Sequence, residues 1–214
     1  MKNNILISII FAGLLFSCSK SSNKPQQSSN NTSVTISGAA YTTVIIGTQT
    51  WTSVNYNGPG GVNYNNGANN ATYGKLYTWT EAKAISLPAG WRLPTESDFN
   101  NLMIAIGAQN LGNGSYLSSG TEPLQLMSKS GWTTTNGTNA LGFNAKPAGY
   151  YDQVSAENQQ FNNEGNGALF LSSTPYMTNG TSPLSFIVGA GNAALTDLVL
   201  LQTDAASIRF VKDN

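Results

Sequence analysis

The sequence predicts an α+β domain in which two short helices pack on mainly antiparallel strands joined by long loops. Three observations carry this. Thr78 with Glu81, and Thr95 with Asp98, are capping-box patterns that open two helical segments in the first half of the chain. After them come short apolar or β-branched runs separated by Gly- and Asn-rich stretches, the pattern of strands and turns. Helices first and strands afterwards indicate segregated α+β architecture. Finally, charged residues make up only 9% of the 214, against roughly 25% in typical soluble domains. Asn, Gly, Ser and Thr supply the polarity instead, which suits short strands and many turns.

Residues 1–17 read as a secretory signal. Lys2 gives a short positive start, and residues 5–16 form an apolar stretch too short to span a bilayer as a mature helix. The stretch ends at Leu15-Phe16-Ser17-Cys18, which resembles a bacterial lipobox. The resemblance implies that Cys18 receives a diacylglyceryl thioether, becomes the N-terminus by cleavage before it, and is then N-acylated. Two or three acyl chains, each methylene contributing about 0.8 kcal/mol, anchor a protein stably where one does not. Ser19 follows, with no aspartate to suggest inner-membrane retention, so an outer-membrane anchor is expected. Residues 18–32 are Ser-, Asn- and Gln-rich and too polar to bury a core, so they read as a lipidated flexible tether. The folded domain is expected over residues 33–214.

Within it, residues 41–56 predict a hairpin: the run Thr42 to Ile46 turns at Gly47-Thr48 and returns through Gln49 and Trp51, with Trp51 in the core. Residues 57–70 are a loop by composition. Thr78 caps a short helix that Pro88 stops. Thr95 then caps a second helix, in which Phe99, Leu102, Met103 and Ile106 recur at helical spacing and Gly107 closes the end. Glu96 and Asp98 lie two apart, so they do not share a helix face and read as helix-start residues, not as a catalytic pair. Arg92 is expected to hold a buried carboxylate or carbonyls. Residues 139–151 read as strand, turn and strand. Further strands are expected over 168–176, 185–190, 197–203 and 207–211.

The absences are informative. There is no histidine and a single cysteine. An intramolecular disulfide, a Cys/His zinc site and Cys–His or Ser–His catalytic pairs are therefore excluded. Removing Lys2, Lys20 and Lys24 of the leader and tether leaves seven basic against ten acidic side chains, a net of about −3. No basic patch is visible, so nucleic-acid binding has no support.

At Ile46-Gly47-Thr48-Gln49-Thr50-Trp51, Tyr73-Gly74-Lys75-Leu76-Tyr77-Thr78-Trp79, Pro88-Ala89-Gly90-Trp91-Arg92-Leu93-Pro94-Thr95, Gly142-Phe143-Asn144-Ala145-Lys146-Pro147-Ala148-Gly149-Tyr150, Ser172-Ser173-Thr174 and Ser207-Ile208-Arg209-Phe210, the chain resembles the Fibrobacter succinogenes major paralogous domain, over about residues 41–214. The resemblance implies a C-type-lectin-like fold. The family's cysteines before Pro-x-Gly-Trp and after the final Arg are Ser86 and Phe210 here, so packing of Phe210 is expected to replace a disulfide. The Gly-Trp-Arg-Leu-Pro-Thr-Glu piece also looks like the formylglycine-generating enzymes, whose cysteines are missing. Calcium-dependent lectins use Glu-Pro-Asn with Trp-Asn-Asp; Glu122-Pro123-Leu124 is the nearest approach.

These readings point to a non-catalytic lipoprotein, exported and held in the membrane through Cys18, that acts as a surface or periplasmic binding or adhesion module for a glycan. The alternative is a structural or assembly component of the envelope with protein partners. An enzyme is not expected, since no motif points to a carboxylate pair of the roughly 5 to 10 Å separation that glycoside hydrolysis needs, and no cofactor or metal is expected. A glycan would stack on aromatics and bond to neutral amides, and the candidate ligand-binding residues are Trp132, Tyr150, Tyr151 and Asn158, in the loops after the second helix, where recognition tends to sit.

Overall fold

The computed structural model describes residues 32–64, 70–112, 116–155, 160–177, 180–189, 192–196 and 200–214. Residues 1–31, on which the expected signal, Cys18 and nearly all of the expected tether fall, lie outside the described residues. Along the chain come β1 (Ser33–Ile36), β2 (Ala39–Ile46), β3 (Gln49–Thr52), the single turn α1 (Asn70–Tyr73), β4 (Tyr77–Thr78), α2 (Trp79–Ala84) and α3 (Glu96–Ile106). Then follow β5 (Gln109–Asn110), β6 (Tyr116–Ser119), β7 (Tyr150–Tyr151), β8 (Phe161–Asn162), β9 (Gly167–Pro175), β10 (Pro183–Gly189), β11 (Asn192–Thr196), β12 (Ala205–Ala206) and β13 (Val211–Asp213). The architecture is mixed α+β; among the described residues the named strands pair antiparallel, and the isolated bridges of Met127 with Ala145, Gly149 with Ala168 and Phe170 with Ser207 are parallel. Three sheets form, in the orders β1-β2-β3-β13, β5-β6-β11-β10-β9 and β4-β12-β7-β8.

The expected hairpin forms, with Ile46 opposite Gln49 across the Gly47-Thr48 turn. A second hairpin precedes it: Ile36 pairs with Ala39 around Ser37-Gly38, whose φ angles of 50° and 81° match the twist of the flanking strands. Both predicted capping boxes form, with Thr78 and Thr95 each accepting from the backbone of the acid three residues on. Gly107 ends α3 in the left-handed conformation at φ 87°.

Three strand expectations fail, one of them the strand over 207–211: residues 205–206 form β12, 211–213 form β13, and 208–210 run between them outside either strand. Residues 139–151 are not strand, turn and strand: Asn139, Gly142, Asn144 and Gly149 all have positive φ, which breaks a ladder, and only β7 and isolated bridges at Ala145 and Gly149 remain. The strand expected over 197–203 lies earlier, in β11. Residues 200–204 form a turn closed by the Leu201 amide donating to Asp204 at 2.8 Å, and 197–199 are outside the described residues.

Strand alternation builds two adjoining cores. Ile46, Trp51 and Val211 send their side chains to one face of the first sheet, against Phe99, Leu102, Met103 and Ile106 of α3. Val34, Ile36 and Tyr41 point to the other face and join Tyr56, Tyr77, Ile208 and Phe210. β9 serves both: Ala168 and Phe170 enter the first core, Leu169 and Leu171 the second. Each large apolar side chain buried this way contributes about 1.5–3 kcal/mol. Phe210 is fully buried, packs edge-on against Tyr56 at 5.4 Å, and shares its core with Ile85 and Leu87 on either side of Ser86. Apolar packing thus holds the end of α2 to the last strands.

Candidate functional site

The stretch around Gly90 is scaffold. Arg92 bonds both carboxylate oxygens of Asp98 and one of Asp213. The Ser172-Ser173-Thr174 landmark is scaffold too. Ser172 O accepts from the Trp79 indole at 2.8 Å, Ser173 N donates to Pro94 O, and Thr174 Oγ1 accepts from the first amide of α3 at 3.0 Å. Glu122-Pro123-Leu124 opens a one-turn 3-10 helix over Pro123–Gln125. Among the described residues, no three carboxylates gather as a metal site.

The three predicted ligand residues that fall among the described residues, Trp132, Tyr150 and Tyr151, do not assemble into one surface. Trp132, expected to be exposed, is buried at 7% exposure within the first core. Its indole donates to Ser128 Oγ at 3.1 Å, because the loop that carries it folds inward through Thr133 N to Gly165 O and Gly137 N to Ser128 O. Tyr150 and Tyr151 are neighbours on β7 and so point to opposite faces. Tyr150 packs on the second core, while Tyr151 packs on a third cluster with its ring 5.2 Å from Phe161. Both are half-buried, and they cannot form a shared stacking platform. Asn158 lies outside the described residues.

A cleft of about 430 Å³ opens elsewhere, lined by Tyr41, Asn55, Asn57, Thr72, Asn144 and Lys146, with Val54 at its rim. This lies within the roughly 300–1,000 Å³ typical of ligand pockets. Four segments converge on it: β2, the chain after β3, the turn α1 with Gly74 after it, and the loop that carries Asn144 and Lys146. Gly74 lets α1 sit against the 55–56 backbone. Its φ is 77°, and a Cβ there would fall 2.9 Å from both Asn55 Cβ and Tyr56 O, so no other residue fits without a shift.

Beneath the cleft lies Arg209, fully buried. Its Nε donates to Asn55 Oδ1 at 2.7 Å, Nη1 to the carbonyls of Thr52 and Phe143 at 2.7 Å each, and Nη2 to Asn144 O at 3.0 Å. The guanidinium also lies over the rings of Phe143 and Phe170, at 4.8 and 5.4 Å. Burial pushes its pKa down to about 9, so it stays charged at neutral pH. Arg209 thereby fixes two cleft residues at once. Asn55 is held further through Nδ2 to Tyr73 O at 2.7 Å and to Ser207 Oγ at 3.1 Å. The Tyr41 phenol is pushed up by burial, with the Asn57 amide pulling against this, and stays protonated. Thr72 and Asn57 are exposed and present a hydroxyl and a side-chain amide to solvent, while the Asn57 backbone amide donates to the Tyr41 phenol at 3.4 Å.

A second cleft of about 360 Å³ sits at the other end of the first sheet, where Trp91 and Lys212 cover Thr43, Ile45 and Thr50. Ile45, Thr50 and Lys212 are direct neighbours across the sheet, and the Lys212 ammonium stands 5.8 Å from the Trp91 ring. Sequence reasoning assigned neither cleft. Their residues come from segments far apart in the chain, and the one local signal was the clustering of Asn and Gly over residues 55–74.

What the geometry defines is a mixed α+β domain of mainly antiparallel strands, with clefts among the described residues at Asn55 and Lys146 and at Trp91 and Lys212. The model of the Fibrobacter succinogenes major domain matches residues 44–212, and the chain belongs to that family. Neither the curated proteins nor the solved structures yield a match. No helix among the described residues is long and apolar enough to cross a membrane.

Proposed function

We propose that this protein is a non-catalytic binding module of the bacterial cell envelope, anchored by lipid on Cys18 and taking a glycan in the cleft above Arg209. The observation that carries the reading is the lining of that cleft. Asn57, Thr72 and Asn144 offer neutral amide and hydroxyl groups, Tyr41 and Val54 offer an apolar wall, and no carboxylate is among the lining residues. Amides and hydroxyls match sugar hydroxyls and cost less to desolvate than charges. A cleft without a carboxylate has no pair for glycoside hydrolysis.

The domain is proposed to have the C-type-lectin-like arrangement. Pairing of β3 with the last strand β13, two principal helices and long loops support it. A glycan array probed with the full chain tests the binding role. Binding to at least one polysaccharide, weakened about five- to tenfold by Asn57→Ala as one hydrogen bond is lost, is expected. Silence across plant, host and bacterial polysaccharides overturns the reading.

A further inference from the structure

We propose that the glycan is acidic, a sugar bearing a carboxylate or sulfate, and that Lys146 is the residue that binds its charge. This rests on the glycan-binding reading and names the ligand class. Lys146 lines the cleft and is only half-buried. The ion pairs among the described residues are Arg92 with Asp98 and Arg92 with Asp213, so the Lys146 ammonium has no carboxylate partner there. Lys75, nearby in sequence to α1, differs: its ammonium is spent on the carbonyls of Gly58 and Gly60 at 3.2 and 3.1 Å.

Arg209 adds a second uncompensated positive charge below the same cleft. Each of its hydrogen-bond partners is a carbonyl or amide oxygen, none a carboxylate. Its Nη2 reaches toward the cleft wall at Asn144. Low-dielectric walls focus such a field into a cleft. The rest of the domain is net negative, so this positive spot is local and selects an anion here and not across the surface. Asn57 and Asn144 line the same cleft as Lys146, and their amides suit the ring hydroxyls of the same sugar. A lysine serves as a point charge for either anion, whereas a bidentate arginine would favour planar carboxylate geometry.

The test uses the full chain and four probes in two acidic–neutral pairs: polygalacturonate with its methyl-esterified form and, for sulfate, carrageenan with neutral agarose. Isothermal titration is expected to show acidic polymer bound at least about tenfold more tightly than its neutral counterpart, with added salt weakening it. Lys146→Met removes that preference, Lys146→Arg retains it, and Lys129→Met, an exposed lysine outside the cleft, leaves it unchanged. Which of the two acidic polymers binds separates carboxylate from sulfate. Equal binding of acidic and neutral polymers overturns this inference while the glycan reading stands. So does acidic binding that survives Lys146→Met or is lost equally in Lys129→Met. Failure to bind any polysaccharide on the wider array overturns the glycan reading itself.

Discussion

Arg92 grips Asp98 with two hydrogen bonds, Nε to Oδ2 at 3.0 Å and Nη2 to Oδ1 at 2.6 Å, and reaches Asp213 of β13 at 2.9 Å with the same Nη2. One guanidinium therefore ties the start of α3 to the last strand. Asp98 also closes the Thr95 capping box, accepting the Thr95 amide at 2.8 Å. Asp98→Ala is expected to cost about 2–4 kcal/mol, combining loss of a helix cap with an orphaned partner charge, read from urea unfolding at neutral pH.

The same carboxylates set the acid limit. Burial pushes the Asp98 carboxyl up, but the bonds from Arg92, Thr95 and Gln49 outweigh it and hold the group below the usual range. Arg92 and Gln49 hold Asp213 down likewise. The unfolded chain then binds more protons than the folded one as pH falls through about 3.9, so stability is full above that and is lost as pH drops through the lower folded values. Unfolding midpoints measured from neutral pH to about 3 should fall steeply for the natural chain and much less for Asp98→Asn.

Much of this scaffold was legible in the sequence because it is written locally. A capping box needs two residues three apart, and Gly107 after an apolar helical repeat is a stop signal. Trp51 in the core followed from the hairpin pattern, and Arg92 as holder of a buried carboxylate from its rarity. The exposure expected of Trp132 failed for the opposite reason. Whether Trp132 faces water depends on Gly165 and Ser128, positions that local pattern does not connect to it. The cleft was illegible in the same way: Asn55, Lys146 and Arg209 lie in three separated segments and meet only when β13 pairs with β3.

At the alkaline limit the buried phenols govern. Burial pushes Tyr41, Tyr64, Tyr73, Tyr77 and Tyr150 above the ordinary value. Their protonated forms are favoured in the fold, so this stability is intact below about pH 10 and is lost as pH rises past it. Tyrosinate absorbance from these five phenols should therefore appear only above the ordinary range and together with loss of circular dichroism. Their ionisation at the ordinary value with the fold intact would contradict the packing.

Trp132 is expected to behave as a core residue. Trp132→Ala removes a large side chain from the first core and should cost about 3–5 kcal/mol, seen as a lowered melting temperature. Trp132→Phe should recover part of that, losing the bond to Ser128 Oγ but keeping apolar volume. Neither should change glycan affinity at a temperature where the variant remains folded. A loss of affinity without loss of stability would return Trp132 to the binding surface.

The anchor can be tested apart from the ligand. Cys18 is the sole cysteine of the chain, so any thioether-linked lipid must be on it. Metabolic labelling with a palmitate analogue should mark the natural protein and leave Cys18→Ser unmarked. The variant should also leave the membrane fraction, because loss of two or three chains removes about 0.8 kcal/mol for every buried methylene. Cleavage before residue 18 requires the thioether on the resemblance to lipoproteins, so Cys18→Ser should further accumulate with residues 1–17 attached, detectable as a heavier species by mass spectrometry. Normal cleavage of Cys18→Ser, with release of a soluble chain, would instead mark an ordinary secretory signal beside an incidental cysteine. Because Cys18 precedes the described residues and β1 begins only at Ser33, the variant is expected to melt with the natural chain, which separates loss of the anchor from loss of the fold.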